Sequence, residues 1–415
     1  MQVQRPLRAW VVVAAVATSA GLVAVLGGSA GAGVEQSGVV FVESNQVQPG
    51  ANSVFGFAFR AGDLRPLGIQ ETPTGGSGST DLSDSGVLDA DQQLMADPKG
   101  KLLFAVNQGS DSIAVFRISD HGELTPVDGS PFPSGGPAPA SVGVHGHTLF
   151  VANKAQDGVR DLSSQHPNYT SFDISGSGRL TPTGSTFSAP LGSSPTQVFV
   201  VPTRDVVVST EESGPIRSFR IAKNGTLVQA PGSPLDPDPS LFPPAFPDAK
   251  KFALGIGAHP TLPLVYINMP TVPKLAVYSV DAMGRLTFIR GVDNAGSVLP
   301  CWTLVTSDGR WLYTGNAGND TVSAFDLSDP RKPRQIQTLT LKGTGNPWNL
   351  RFDPSEQYLF VNTPRATEIV PPGGGNSLHS LRIGPDGRLT ELASSPVPVP
   401  VALGTQPLGL AVAPR

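Results

Sequence analysis

The amino-acid sequence predicts an all-β protein, a seven-bladed β-propeller whose C-terminal strand closes the first blade. Glycine and proline are frequent, with 47 and 41 residues among 415, and this composition is typical of short elements joined by many turns. Three kinds of strand recur along the chain, which indicates a repeat architecture. The strand missing from the N-terminal repeat is found at the C-terminus.

The first kind of strand is an apolar run that ends in Asn or a substitute, and Leu149-Phe150-Val151-Ala152-Asn153 is its clearest copy. Its ends recur about every 46 to 63 residues, the spacing of four-stranded propeller blades. The seven copies are residues 40–44, 103–107, 149–153, 206–210, 264–268, 312–316 and 358–362.

The second kind alternates apolar and polar residues, which is typical of a half-buried strand. Its copies run through Phe57, Phe116, Phe172, Phe219, Tyr278, Phe325 and Leu381. The third kind is short and rich in small residues, as suits the crowded inner wall of a propeller. Its copies are residues 94–96, 142–144, 198–200, 254–256, 303–305, 350–352 and 410–412. Turns of the pattern Gly-x-Leu, as at Gly178, lead to the outer strands.

The order of these strands predicts how the ring closes. The N-terminus supplies an Asn-ending strand with no inner strand before it, and the C-terminus ends on the inner strand 410–412. We expect these two strands to pair, because closure removes the free sheet edges that would otherwise promote aggregation.

The N-terminus has the pattern of a secretory signal peptide. Arg5 and Arg8 flank the start of an apolar run over residues 9–26, and Ala30 and Ala32 fit a cleavage site. We therefore expect residues 1–32 to be a cleaved signal, residues 33–415 a single domain, and the mature protein to be secreted. The alternative is a membrane anchor facing outside, since the run approaches the roughly 20 residues that span a bilayer.

Charge and cysteine content exclude several classes of function. A net charge of −4 with no basic stripe argues against nucleic-acid binding. Cys301 is the only cysteine, so neither an intramolecular disulfide nor a thiolate zinc site can form. The six histidines show no metal-triad spacing. We expect a monomer without metal or other cofactor, without membrane contact after signal cleavage, and with a small molecule as its partner.

In a propeller, the starts of the inner strands and the ends of the Asn-ending strands share one face, so candidate site residues are expected there. Glu211 and Glu212 stand where other repeats carry neutral residues, and Glu211 is the candidate base for activating water. The alternative is a pair of solvated loop charges. The candidate ligand-binding residues are Glu212, Gln197, Asn153, Lys154, Trp302, Trp348 and His166.

Structural roles compete with several of these assignments. Asn at a strand end commonly caps the following turn. Trp302 and Trp348 follow a proline at equivalent inner-strand starts, Trp348 directly and Trp302 after one intervening residue. They either pack between blades or form an aromatic platform for a flat ligand. His166 lies in a long loop that can reach the same face.

The phrases Leu-Phe-Val-Ala-Asn (149–153) and Gly-Arg-Leu-Thr-Pro (178–182) resemble those of the seven-bladed lactonase family. That family includes 6-phosphogluconolactonase and carboxymuconate-cyclising enzymes, and it is related to propellers with Tyr-Val-Thr-Asn repeats. Its enzymes typically carry Gly-Pro-Arg-His at one inner-strand start and Asn-Glu at the next strand end. Here those positions read Ser194-Pro195-Thr196-Gln197 and Thr210-Glu211, so the Glu is retained and the Arg and His are not.

The resemblance implies a secreted lactonase-like propeller that hydrolyses a small extracellular lactone, with Glu211 as base and Gln197, Asn153 and Trp348 positioning the ligand. The missing Arg and His argue against phosphogluconolactone as substrate. They favour the rival hypothesis, a non-catalytic secreted propeller that binds a ligand or a protein.

Overall fold

The computed structural model describes residues 37–81, 86–365, 375–402 and 404–415, which form seven antiparallel sheets. Their strands, in chain order, are β1 (Ser37–Glu43), β2 (Ser53–Arg60), β3 (Asp63–Pro73), β4 (Leu94–Ala96), β5 (Leu102–Asn107), β6 (Ser112–Ile118), β7 (Leu124–Pro126), β8 (Phe132–Pro133), β9 (Pro139–His145), β10 (Thr148–Asn153), β11 (Asn168–Ile174), β12 (Leu180–Ser188), β13 (Phe199–Val200), β14 (Val206–Thr210), β15 (Ile216–Ile221), β16 (Leu227–Gln229), β17 (Leu254–Ala258), β18 (Leu264–Met269), β19 (Lys274–Val280), β20 (Leu286–Asp293), β21 (Pro300–Val305), β22 (Trp311–Asn316), β23 (Thr321–Asp326), β24 (Arg334–Thr340), β25 (Leu350–Phe352), β26 (Tyr358–Thr363), β27 (Ser377–Ile383), β28 (Leu389–Glu391), β29 (Val397–Pro398) and β30 (Leu408–Pro414). Short 3-10 helical turns occur at Gln108–Ser110, Pro239–Leu241 and Asp248–Lys250.

Each sheet is one blade of a seven-bladed propeller, as predicted. Blade one has the order β3-β2-β1-β30, blades two to seven begin at β4, β9, β13, β17, β21 and β25, and β8 and β29 are short additions to blades two and seven. The inner strands contact their neighbours around a central channel, as β30 contacts β4 and β25 contacts β30. We call the face where the inner strands begin and the second strands end the upper face.

The C-terminal strand closes the ring, which confirms the predicted closure. Strand β30 pairs with β1 in antiparallel register, so that Val40 lies opposite Val412 and Phe41 opposite Ala411. Leu410 is fully buried and packs in one cluster with Val40 and Val42. Blade one is therefore assembled from both ends of the described chain, and its inner edge is not left open.

The cores lie between blades, which explains why the second strand of each blade is a continuous apolar run. In β10, Leu149 and Val151 belong to the cluster shared with blade two, whereas Phe150 and Ala152 belong to the cluster shared with blade four. Side chains alternate between the two faces of a strand. A strand with a neighbouring blade on each face must therefore be apolar at every position.

Residues 1–36 lie outside the described residues, so the signal peptide and its alternative as an anchor stay predictions. Within residues 37–81, 86–365, 375–402 and 404–415, no helix has the length and apolar character needed to span a membrane.

Candidate active site

A segment of the chain itself crosses the upper mouth of the central channel. This crossing segment, residues 86–93, leads into β4 and bonds to several blades. The Asp91 amide donates to Thr196 O at 3.1 Å, and Gln92 O accepts the Val142 amide at 3.0 Å. Trp348 Nε1 donates to Ala90 O at 3.3 Å. Residues 86–93 thus fill the upper mouth of the channel.

The crossing segment brings a carboxyl group against Glu212, forming the most chemically unusual cluster at this face. The Asp89 and Glu212 carboxyls lie close enough for one to donate to the other when it is protonated. Lys154 Nζ lies 3.0 Å from Glu212 Oε2, and Ser194 Oγ donates to the same oxygen at 2.8 Å. We call Asp89 and Glu212 the carboxyl pair. Lys154 and Ser194 hold one member of this pair in place.

The environment favours a shared proton in the carboxyl pair. Burial raises the pKa of Asp89 well above its ordinary range, and the nearby Glu212 carboxyl raises it further, while the charges of Lys154 and Arg365 act in the opposite direction. Two carboxyls in hydrogen-bond contact do not both ionise readily. The raised pKa of Asp89 therefore favours its protonated form, which makes Asp89 the candidate proton donor beside the Glu212 carboxyl.

The backbone near the carboxyl pair leaves no room for a side chain at Gly86. Gly86 has φ +79°, and a Cβ there would overlap Oε1 of Glu212. Lys154 Nζ also donates to Gly86 O and, at 2.9 Å, to Asp89 O. The fully buried Lys154 ammonium thus ties the crossing segment to Glu212.

Trp302 and Trp348 lie beneath this cluster and pack as core residues. Their rings are 6.0 Å apart at an interplanar angle of 49°, and both pack with Leu88 of the crossing segment. The Arg365 guanidinium lies 5.4 Å from the Trp348 ring centroid. The packing alternative weighed for the two tryptophans matches this geometry better than a ligand platform does.

A groove of about 390 Å³ lies on the upper face beside the crossing segment. Its walls include Val87, Gln156 and Ser193. Gln156 Oε1 lies 3.0 Å from Ser194 Oγ, the same hydroxyl that donates to Glu212. The Glu212 side chain retains 16% exposure, and Ser194 links it to Gln156 in the groove wall.

Glu211, the predicted base, faces away from the groove. It is fully buried, and Arg217 donates to it from Nε at 2.7 Å and from Nη2 at 3.3 Å. The Tyr169 hydroxyl donates to Oε1 at 3.1 Å. A base that activates water needs contact with water, whereas Glu211 is fixed between blades three and four by a two-point ion pair. Its catalytic role stays a prediction that this geometry does not favour.

The other predicted ligand-binding residues are dispersed. Asn153 is fully buried, and its Nδ2 donates to Asn168 Oδ1 at 2.7 Å. Gln197 lies inside the channel, donating to Gln92 Oε1 at 2.9 Å and accepting the Ile256 amide at 2.7 Å. His166 is exposed and bonds to Ala189 O at 3.1 Å. Of the predicted set, the structure brings Glu212 and Lys154 together.

Asp89 was missed because it belongs to no repeated strand. The signal available in the sequence was the density of carboxyl and amide residues directly before an inner strand, in Asp89-Ala90-Asp91-Gln92-Gln93. In the described parts of the chain, no group of three or more His, Cys, Asp or Glu side chains is placed to hold a metal ion.

Comparisons with known proteins agree with the fold. A sequence model described as lactonase, seven-bladed β-propeller, matches residues 301–371, so the resemblance drawn from the repeat phrases is confirmed. No curated protein matches the chain.

Solved structures with the same architecture cover nearly the whole domain. A protein from Lactobacillus plantarum is similar at a TM-score of 0.67 and 16% identity, over 91% of this chain and 99% of that one. The periplasmic gluconolactonase of Pseudomonas aeruginosa is similar at a TM-score of 0.66 and 16% identity, over the same shares. A Bacteroides fragilis protein provisionally named a 6-phosphogluconolactonase reaches 0.61 and 16%, over 91% and 98%. At these identities the likeness shows the fold.

Proposed function

We propose that this protein is a secreted hydrolase of small lactones and that the carboxyl pair Asp89 and Glu212 performs the reaction. The observation that carries the proposal is the close approach of these two carboxyls beside the buried Lys154 ammonium. Neighbouring carboxyl groups in a buried setting are typical of acid and base roles in hydrolytic sites.

The chemistry follows from the proton held by the pair. The ionised carboxylate accepts a proton from a water molecule, and the water oxygen attacks the carbonyl carbon of the lactone. The carbonyl oxygen becomes an oxyanion in the tetrahedral intermediate. The protonated carboxyl then donates its proton to the ring oxygen as the carbon–oxygen bond breaks, which releases a hydroxy acid and leaves one proton on the pair.

Neighbouring residues support these steps by position and charge. Lys154 and Ser194 fix Glu212 through bonds of 3.0 Å and 2.8 Å, which limits the reorganisation needed in the reaction. Arg365 contributes positive charge near Asp89. Such charge stabilises an oxyanion in a site from which water is largely excluded.

The comparisons support the substrate class and the location. Similarity to a periplasmic gluconolactonase is consistent with export directed by the signal-like residues 1–32. Because one fold can host several activities, the activity depends on the chemistry of the site.

Hydrolysis of a panel of γ- and δ-lactones, followed by acid release, tests the proposal. We expect activity in the wild type and a loss of at least about 100-fold in kcat for Glu212→Gln. Glu211→Gln is the matched control, because it changes the adjacent carboxyl that faces Arg217. If Glu211→Gln removes activity and Glu212→Gln does not, the base is Glu211 and the proposal fails. Urea unfolding of each variant separates lost chemistry from lost structure.

The alternative is a non-catalytic propeller that binds another protein at the upper face. Exposed apolar side chains in upper-face loops favour it, since Val159 is 63%, Leu191 54%, Val298 49% and Leu299 44% exposed. Two results together would establish this alternative instead. The protein would hydrolyse no lactone of the panel, and the Leu191→Asp variant would no longer bind a protein partner that the wild type binds.

A further inference from the structure

The central channel contains a second pocket, below the crossing segment and separate from the carboxyl pair. Its volume is about 280 Å³. The lining residues Ala96 and Phe352 are the last residues of β4 and β25, so the pocket opens toward the lower face. Asp91 and Gln92 of the crossing segment line its other end. The result is a blind pocket with one mouth.

The walls of this channel pocket are mostly apolar, with Gln197 and Thr303 as their polar members. The large apolar wall residues are Met95, Phe199, Ile256, Leu304, Phe352 and Val412. All of these except Ile256 are only partly buried, although they point into the middle of the protein. Leaving such surface in contact with water is unfavourable, and an apolar molecule that displaces the water recovers this free energy.

The inner end of the pocket is polar and built from buried side chains. Arg351 Nη2 lies 3.2 Å from Asp91 Oδ1, and Nη1 lies 3.5 Å from Asp91 Oδ2. Asp91 Oδ1 also accepts Asn349 Nδ2 at 2.8 Å and the Gln92 amide at 2.8 Å. Gln197 Nε2 contacts Asp91 Oδ2 at 3.5 Å. The Asp91 carboxylate is therefore contacted by donors from four residues and is itself only 5% exposed.

Arg351 is the more accessible member of that ion pair. Its side chain is 18% exposed, and both of its contacts with Asp91 are longer than the 2.7–2.9 Å typical of a strong charge-assisted bond. Arg351 Nη1 also donates to Leu350 O at 2.7 Å. A guanidinium has five N–H donors, so two donors remain beyond these three contacts for a group that enters the pocket. The inner end thus presents hydrogen-bond donors to an acceptor.

We propose that the channel pocket binds a small carboxylic acid with an apolar body, whose carboxylate contacts Arg351 and whose aliphatic or single-ring body lies among the apolar walls. Arginine suits this role because its planar fork matches a carboxylate. The volume is about twice that of the roughly 150 Å³ apolar cavity that holds benzene, which limits the body to about eight carbon atoms. The proposal does not depend on lactone hydrolysis at the upper face.

Calorimetric titration of the full protein with octanoate tests this site. We expect a dissociation constant of about 1 mM or tighter, with 1-octanol at least about tenfold weaker because it lacks the charge that pairs with Arg351. Val412→Trp, which fills the pocket from the wall, abolishes the binding. Met283→Trp, at a 51% exposed position in a turn of the lower face, leaves it unchanged.

Three results would overturn the proposal. Absence of heat with octanoate removes the site, and equal affinity for octanoate and 1-octanol removes the role of Arg351. Binding that survives Val412→Trp places the ligand elsewhere. Leu304→Trp is a second filling variant for the case in which Val412→Trp fails to fold. Lactone hydrolysis measured on the same samples reports the upper face independently.

Discussion

Truncation of Leu410 tests the contribution of the closing strand to stability. Leu410 is fully buried in β30 and packs with Val40, Val42 and Phe57 of blade one. Leu410→Ala removes about three methylene-sized groups at ~0.8 kcal/mol each, roughly 2.4 kcal/mol of transfer free energy. The cavity left in a packed core raises this cost to about 2.7–5.0 kcal/mol.

Urea unfolding followed by far-ultraviolet circular dichroism measures this cost. We expect a lower midpoint with an unchanged m value, since the native contacts weaken without a change in the exposed surface. Leu191→Ala is the matched control, because the same atoms are removed from a side chain that is 54% exposed, and we expect a change within about 0.5 kcal/mol. Equal effects of the two substitutions would refute the reasoning that β30 closes the ring by burial against β1.

Two further predictions concern buried charges. Lys154→Met leaves Glu212 without its buried cation and should lower the free energy of unfolding by about 3–5 kcal/mol. Adding Glu212→Gln should restore part of this loss. A double variant that is no more stable than Lys154→Met would contradict the pairing of Lys154 with Glu212. At Glu391, burial opposes ionisation, but hydrogen bonds from His379, the Lys342 amide and Ser395 outweigh it and lower the pKa. A lowered folded-state pKa stabilises the protein above the unfolded-state value of about 4.3. The difference in unfolding free energy between wild type and Glu391→Gln should therefore shrink as pH falls below about 4.5, and a difference independent of pH would count against it.

The fold could be predicted from the sequence because its determinants are local and repeated. The continuous apolar run 149–153 indicates a strand buried on both faces, and Leu149 and Phe150 indeed pack into different clusters. Closure followed from the order of strands at the two termini, and β1 pairs with β30. The first inference uses a local pattern, and the second uses the order in which the repeated strands occur along the chain.

The candidate site could be predicted only in part, because the segment that completes it follows no repeat. Glu212 and Lys154 were found as residues at strand ends. Asp89 reaches Glu212 only because residues 86–93 cross the channel mouth, and no periodicity specifies the path of such a segment. Glu211 and Glu212 are adjacent in sequence, yet one pairs with Arg217 and the other with Lys154. The sequence alone did not show that the two side chains point to different partners.

The pH dependence of kcat/KM for the best lactone substrate is the most direct test of the carboxyl pair. The raised pKa of Asp89 predicts that kcat/KM falls on an alkaline limb displaced above the ordinary range of a carboxyl group, where Asp89 loses the proton it donates. Asp89→Asn should reduce kcat/KM and remove the alkaline limb while the protein unfolds at the same urea concentration within error. A profile that Asp89→Asn leaves unchanged in height and shape would contradict the assignment of the active site to Asp89 and Glu212.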